Sequence, residues 1–283
     1  MAVLVRPRSW GTQVPPVGSS INWGHPLAQN LVGAWIFAEG IGNVAQDLAG
    51  GRNAVSHSAP TWAPAPGLGH TSICTANYWT IPNASVFGVP SGGAFTLVSF
   101  VGIPVGSSAT QVTGLTIRAS NPIMNVNCIP STGTFGFGSR TDGGSFTNLT
   151  GAVGQFGDGS VHMLGGVAVG GAMLLYGDGR RLNGNGVSGP PTITVSTAGI
   201  GGDTISGTGG TFACGPQYIW KRPLAPSEMA WLHIEPYAFI QPPAPTILYF
   251  DMVGPAGASG FAGLANVTRK LGLTAPQQLT GRG

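Results

Sequence analysis

Short apolar stretches rich in Val, Ile, Phe and Thr recur along the middle of this chain, broken by Gly, Pro, Asn or Ser every ~8 to 12 residues. Such punctuation leaves no room for long helices; it is the pattern of strands joined by tight turns in an all-β sandwich or barrel. The stretches include LVGAWIF (31–37), FTLVSFVGI (95–103), VTGLTIRA (112–119), IMNVNCI (123–129), VHMLGGVAV (161–169), AMLLY (172–176) and FACGPQYIW (212–220). VHMLGGVAV and AMLLY flank Gly170 and Gly171, a pair suited to a two-residue hairpin turn with positive φ, and a second turn follows at Gly177, Asp178 and Gly179. One helix is expected, after Pro226, with Glu228 in the first turn, Met229 and Leu232 on its apolar face and Pro236 as its stop.

The 48 glycines and 23 prolines would fit a disordered chain, but 42% of the residues are hydrophobic, so a core can form. A chain of 283 residues is long enough for one large sandwich without disulfides or a structural metal. Only 7% of the residues are charged, against roughly 25% in an average soluble protein. A surface so poor in charge is expected to be covered by partner chains.

The net charge of +3 is concentrated at the ends. Arg6 and Arg8 stand without an acid in residues 1–21, and Arg269, Lys270 and Arg282 face only Asp251 after residue 243. Three zones follow: an extended N-terminal arm over 1–21, a strand-and-turn body over 22–240, and a C-terminal arm over 241–283. The last contains four Gly-x-y triplets from Gly254, the spacing of a collagen helix but too short to hold one alone. Arg6, Arg8, Trp10, Arg269 and Lys270 are the expected assembly contacts. Two short basic arms do not make a nucleic-acid surface.

Cys74, Cys128 and Cys214 form no CxxC pair and read as small buried apolar residues of a reducing compartment. The apolar run before Arg6 is too short for a signal peptide, and Val161–Tyr176 is too short and interrupted to span a bilayer. Glu39, Glu228 and Glu235 form no catalytic pair; GxSxG and HExxH are absent. The five histidines lack ligand spacing and read as structural or solvated. Gly184, Gly186 and Gly189 match GxGxxG but run into Pro190 and Pro191, which excludes a dinucleotide fingerprint. No enzyme is expected. Asp47, Asp178 and Asp203 sit in loops, as turn formers or as weak calcium ligands. Trp35 and Trp220 lie in strand-like runs and are expected in the core, whereas Trp62 and Trp79, among Pro, Asn and Thr, are the candidates for a sugar-stacking platform.

In order, LVGAWIFAEGIGNVAQDLAGGRNAV, NYWTIPN, FTLVSFVGIP, SVHMLGGVAVGGAMLLYGDGRRL and GIGGD followed by YIWKRPLAPSEMAWL resemble the segments of laminin G-like, concanavalin A-like jelly-roll domains over roughly residues 22–240. The resemblance implies a two-sheet antiparallel jelly-roll sandwich with one short C-terminal helix. Ala225 stands where the family has a Ser or Thr helix cap, and the acids that bind calcium in some relatives are sparse. SINWGHPLAQNLVGAW and PLAPSEMAWLHIEPYAFIQPP further resemble jelly-roll proteins of tailed bacteriophages. That implies a virion structural protein made in the host cytoplasm, a capsid decoration, fibre or tail part, docked through its arms to other virion proteins and copies of itself. The alternative is a carbohydrate-binding adhesin for host-surface attachment, with Trp62, Trp79 and Asp178 as glycan contacts.

Overall fold

In the computed structural model the alternation of inward and outward side chains resolves into two large antiparallel sheets with apolar residues on three of their four faces. The structure describes residues 13–65, 69–74, 78–88, 93–102, 112–118, 123–129, 132–140, 146–152, 159–170, 172–183, 194–201 and 212–243. Arg6, Arg8, Trp10, Asp203, Arg269, Lys270 and the Gly-x-y stretch lie outside them. The chain divides into Met1–Pro242 and Pro243–Gly283, and all the elements named here belong to the first unit.

The first sheet runs, in spatial order, β12 (Phe146–Ala152), β11 (Thr134–Arg140), β10 (Ile123–Ile129), β9 (Val112–Arg118), β16 (Thr197–Ile200), β7 (Trp79–Ile81), β4 (Ala54–Ser56) and β3 (Val44–Ala45). The second runs β15 (Arg180–Asn183), β14 (Ala172–Gly177), β13 (Val161–Val169), β8 (Phe95–Gly102), β17 (Phe212–Trp220), β6 (Gly69–Cys74) and β5 (Thr61–Ala65); β2 (Leu31–Trp35) also pairs with β17. β16 enters between strands far from it in sequence, and so does β17, which gives the crossed connections of a jelly roll.

The main core fills the space between the sheets. Leu115, Ile117, Met124, Val126, Phe135 and Phe137 of the first sheet meet Phe95, Leu97, Leu164, Leu175 and Ile219 of the second. The second sheet is apolar on its other face too, where Val98, Phe100, Met163, Val167, Tyr218 and Trp220 support an outer layer. That explains why β8 and β13 read as continuous apolar runs rather than alternating ones: both of their faces are covered.

The outer layer consists of α1 (Pro226–Ile234), a 3-10 turn at Pro26–Ala28, and a ribbon of β1 (Ser20–Ile21) with β18 (Ile240–Gln241). Two aromatic hydrogen bonds pin it to the sheet: Trp220 Nε1 donates to the Leu27 carbonyl at 2.7 Å, and the Tyr218 hydroxyl donates to that of Pro236 at 2.8 Å. Met229 and Leu232 face inward as expected. Lacking a Ser or Thr at Ala225, the helix is closed by Glu228, whose carboxylate accepts from the Ala225 N–H at 2.8 Å and from Arg222 at 2.7 and 2.8 Å. Burial pushes the Glu228 carboxyl up, but the Arg222 hydrogen bonds and those of the backbone hold it below its ordinary value.

Val14 and Ile21 pack into this second cluster. The stretch 14–21, expected as part of an arm, therefore lies on the chain's own sandwich, because Ser20 and Ile21 find strand partners in Gln241 and Ile240. Cys128 and Cys214 are both buried, and burial pushes the Cys128 thiol up to about 12. Among the described residues no helix is long and apolar enough to cross a membrane.

Candidate functional site

An open groove of about 480 Å³ lies where the free edges of the two sheets approach each other, at the ends of β3 and β4 and along the connection into β5. Gly42, Asn43, Ser56, His57, Ser58, Ala59 and Pro60 line it. Backbone bonds shape it: the Ser56 N–H donates to the Asn43 carbonyl and the His57 N–H to the Tyr78 carbonyl, both at 2.9 Å. The second of these holds the His57 ring stacked on that of Tyr78, with centroids 4.7 Å apart and an interplanar angle of 23°.

Trp62 supports the groove from beneath. Its ring packs against Phe37 at 6.2 Å and Trp79 at 5.9 Å, and its Nε1 donates to the Gly42 carbonyl at 2.9 Å. Gly42 has a φ of +81°, a left-handed conformation that glycine adopts without a steric cost. Trp62 thus joins the edge strand of one sheet to the loop that walls the groove beside the other.

Trp79 is not part of the surface. Its side chain is 0% exposed, in edge contact with Phe37 at 5.4 Å, and the expectation of a Trp79 platform is corrected. The physical reason is the strand period: Trp79 and Ile81 face the core, and Thr80 between them faces out. Trp35 and Trp220 are buried, as their strand-like surroundings imply.

Asp178 is occupied as well. Its Oδ2 accepts from His162 Nδ1 and its Oδ1 from the Met163 N–H, both at 2.9 Å, while its own N–H donates to the Met163 carbonyl at 2.9 Å. Asp178 has a φ of +48° and Gly179 one of +74°, the primed two-residue turn that joins β14 to β15. Burial raises the Asp178 carboxyl, but the bonds from His162 and Met163 and the nearby histidine charges bring it below its ordinary value. Asp178 is therefore a turn anchor whose carboxylate already accepts two hydrogen bonds.

Asp47 is a second anchor. Its Oδ1 accepts the N–H groups of Ala34 and Ala49 at 2.9 and 3.0 Å, and its Oδ2 those of Gly50 and Arg52 at 3.1 and 3.0 Å. Four donors converge on a fully buried carboxylate, with the Arg52 guanidinium 3.9 Å away. Turn chemistry thus accounts for Asp47, and the weak calcium expectation is corrected there. No group of three His, Cys, Asp or Glu side chains able to hold a metal is found among the described residues.

His57 and Tyr78 carry no signal in the sequence that marks them as site residues. Tyr78 precedes Trp79, and the strand period that buries Trp79 puts its neighbour on the other side. Among the described residues no carboxylate lines the groove. It offers ring faces, hydroxyls and carbonyls, the means of holding an uncharged polar ligand by stacking and hydrogen bonding.

No family model and no curated protein matches this chain. Solved structures with the same fold include the binding domain of Paraclostridial Mosquitocidal Protein 1, at a TM-score of 0.60 and 10% identity over 74% of this chain and 53% of that one. The binding domain of botulinum neurotoxin serotype G gives 0.55 and 10%, over 72% and 50%. That of serotype D/C gives 0.54 and 13%, over 72% and 52%. The chain thus spans about half the length of each, and at these identities the likeness establishes the fold: an antiparallel jelly-roll sandwich. None of the three is a laminin G or phage protein.

Proposed function

We propose that this chain is a non-catalytic binding module that holds a neutral glycan in the groove between Gly42 and Pro60. One observation carries the reading: the His57–Tyr78 ring stack beside a groove whose described lining has hydroxyls and carbonyls but no Asp, Glu, Lys or Arg. Sugars present alternating apolar C–H faces and hydroxyl edges, and the groove supplies partners for both. Trp62, an expected glycan contact, also holds the wall through its bond to Gly42. The structural neighbours are binding domains, and one is described as entering cells in dependence on two ganglioside molecules, which supports glycan binding as a class; the choice of a neutral glycan rests on the groove lining alone. A glycan array run with and without calcium tests it: binding to neutral glycans, unchanged by chelation, is expected, and an array without any signal refutes it.

A second reading is assembly into a virion. Trp23, Trp231 and Ile234 are exposed on the layer where β1 and β18 pair, with the Trp231 ring 4.8 Å from that of His25. Together with the 7% charged composition, this favours a face that docks onto neighbouring chains of a particle. Light scattering of the purified chain, alone and mixed with particles, tests it; a monomer that never joins a particle rules it out.

A further inference from the structure

Seven large apolar side chains are exposed among the described residues, and three of them adjoin lining residues of the groove in sequence. Val44 and Val55 are direct cross-strand partners in β3 and β4, both pointing away from the core, one residue from Asn43 and Ser56 of the lining. Ile41, 79% exposed, is held out between Gly40 and Gly42, whose φ angles of +67° and +81° turn the loop outward. Single surface apolar residues are ordinary, but a cross-strand apolar pair with a third exposed apolar residue close by in sequence, beside a polar groove, marks a binding surface.

We infer that the ligand of this groove is a neutral sugar bearing an alkyl-chain aglycone, with the sugar on His57 and Tyr78 and the chain laid over Ile41, Val44 and Val55. The inference rests on the glycan reading of the groove and adds the class of ligand. Neither the described lining nor these three residues includes an Asp, Glu, Lys or Arg, so an uncharged amphiphile meets no such ion on either part of its length. Burying an alkyl chain removes apolar area from water on both partners, and the affinity gained grows with the area covered.

The test uses the full chain and the methyl and octyl β-glycosides of glucose, galactose, mannose and N-acetylglucosamine, followed by saturation-transfer NMR and titration calorimetry below micelle concentrations. At least one sugar is expected to bind about tenfold or more tighter as its octyl than as its methyl glycoside. A variant combining Ile41→Ser, Val44→Ser and Val55→Ser is expected to bind the methyl glycoside unchanged and to lose the octyl advantage. A second variant, Ile41→Ser alone in the loop, guards against misfolding of the triple one and is expected to lose part of that advantage. Equal affinity for the two glycosides, or an advantage that survives in the triple variant, overturns the inference and leaves the glycan reading standing. Failure of every glycoside to bind overturns both.

Discussion

The ring of Phe137 in the first sheet lies flat against the backbone of Gly166 in the second, so close that a Cβ on Gly166 would fall 2.3 Å from it. On the other face of β13, a Cβ on Gly165 would meet the terminal methyl of Met229 at 2.2 Å. The pair of glycines in VHMLGGVAV, unfavourable in a strand by itself, is where both neighbouring layers close onto the sheet. Gly166→Ala is expected to cost about 1 to 3 kcal/mol, because a buried aromatic ring has nowhere to move. Gly165→Ala should cost less, since the flexible end of Met229 can shift. Urea unfolding of the two variants measures the difference, and equal losses would contradict this view of the packing.

The carboxylate of Asp47 closes the turn after β2 by accepting four backbone N–H groups. Asp47→Ala leaves those donors buried without an acceptor and is expected to lower stability by about 3 kcal/mol or more. Asp47→Asn should fall between the two, since one amide oxygen still accepts. Thermal melting with EDTA and with added calcium should give the same midpoint for the wild type; a midpoint raised by calcium would show that a metal, not the turn, organises this carboxylate.

Asp178 makes stability depend on acid. Its folded carboxyl titrates below its ordinary value, so the folded state binds this proton less readily than the unfolded chain does. The contribution is complete above the unfolded carboxylate value, roughly pH 4, and is lost as the pH falls through the lower folded value. Asp178→Asn keeps a residue tolerant of positive φ but removes the charge. Unfolding midpoints recorded from pH 7 down to pH 3 should fall less steeply for this variant than for the wild type.

Trp62 tests how the groove is held. Trp62→Phe keeps an aromatic ring against Phe37 and Trp79 while removing the N–H that bonds the Gly42 carbonyl and part of the ring area. A stability loss of about 1 kcal/mol is expected, with weaker glycan binding through a loosened wall. Unchanged affinity in calorimetry would place the ligand elsewhere.

Local chemistry makes part of this fold legible in the residues themselves. Gly170 and the Asp178–Gly179 turn have the positive φ their residue types imply, and β13 and β14 pair through Val169 and Ala172 as the hairpin requires. Trp79 reads as a surface platform because Pro, Asn and Thr stand close to it, whereas alternation over Trp79, Thr80 and Ile81 is the stronger signal. The donors around Asp47 come from residues 34 to 52, and those around Asp178 from a strand fifteen residues away, so neither carboxylate can be assigned a partner from spacing alone. The groove depends on the edges of two sheets meeting. The order that brings them together rests on β16 and β17 inserting between distant strands, which no local pattern records.

The central claim is that the His57–Tyr78 stack receives a sugar. Calorimetric titration of the wild type, His57→Ala and Tyr78→Ala with the best neutral glycan tests it most directly, with thermal melting to confirm that all three are folded. The account predicts measurable binding by the wild type and a loss of about tenfold or more in each variant, the equivalent of about 1.4 kcal/mol. Affinity that stays the same when the Tyr78 ring is removed would contradict it.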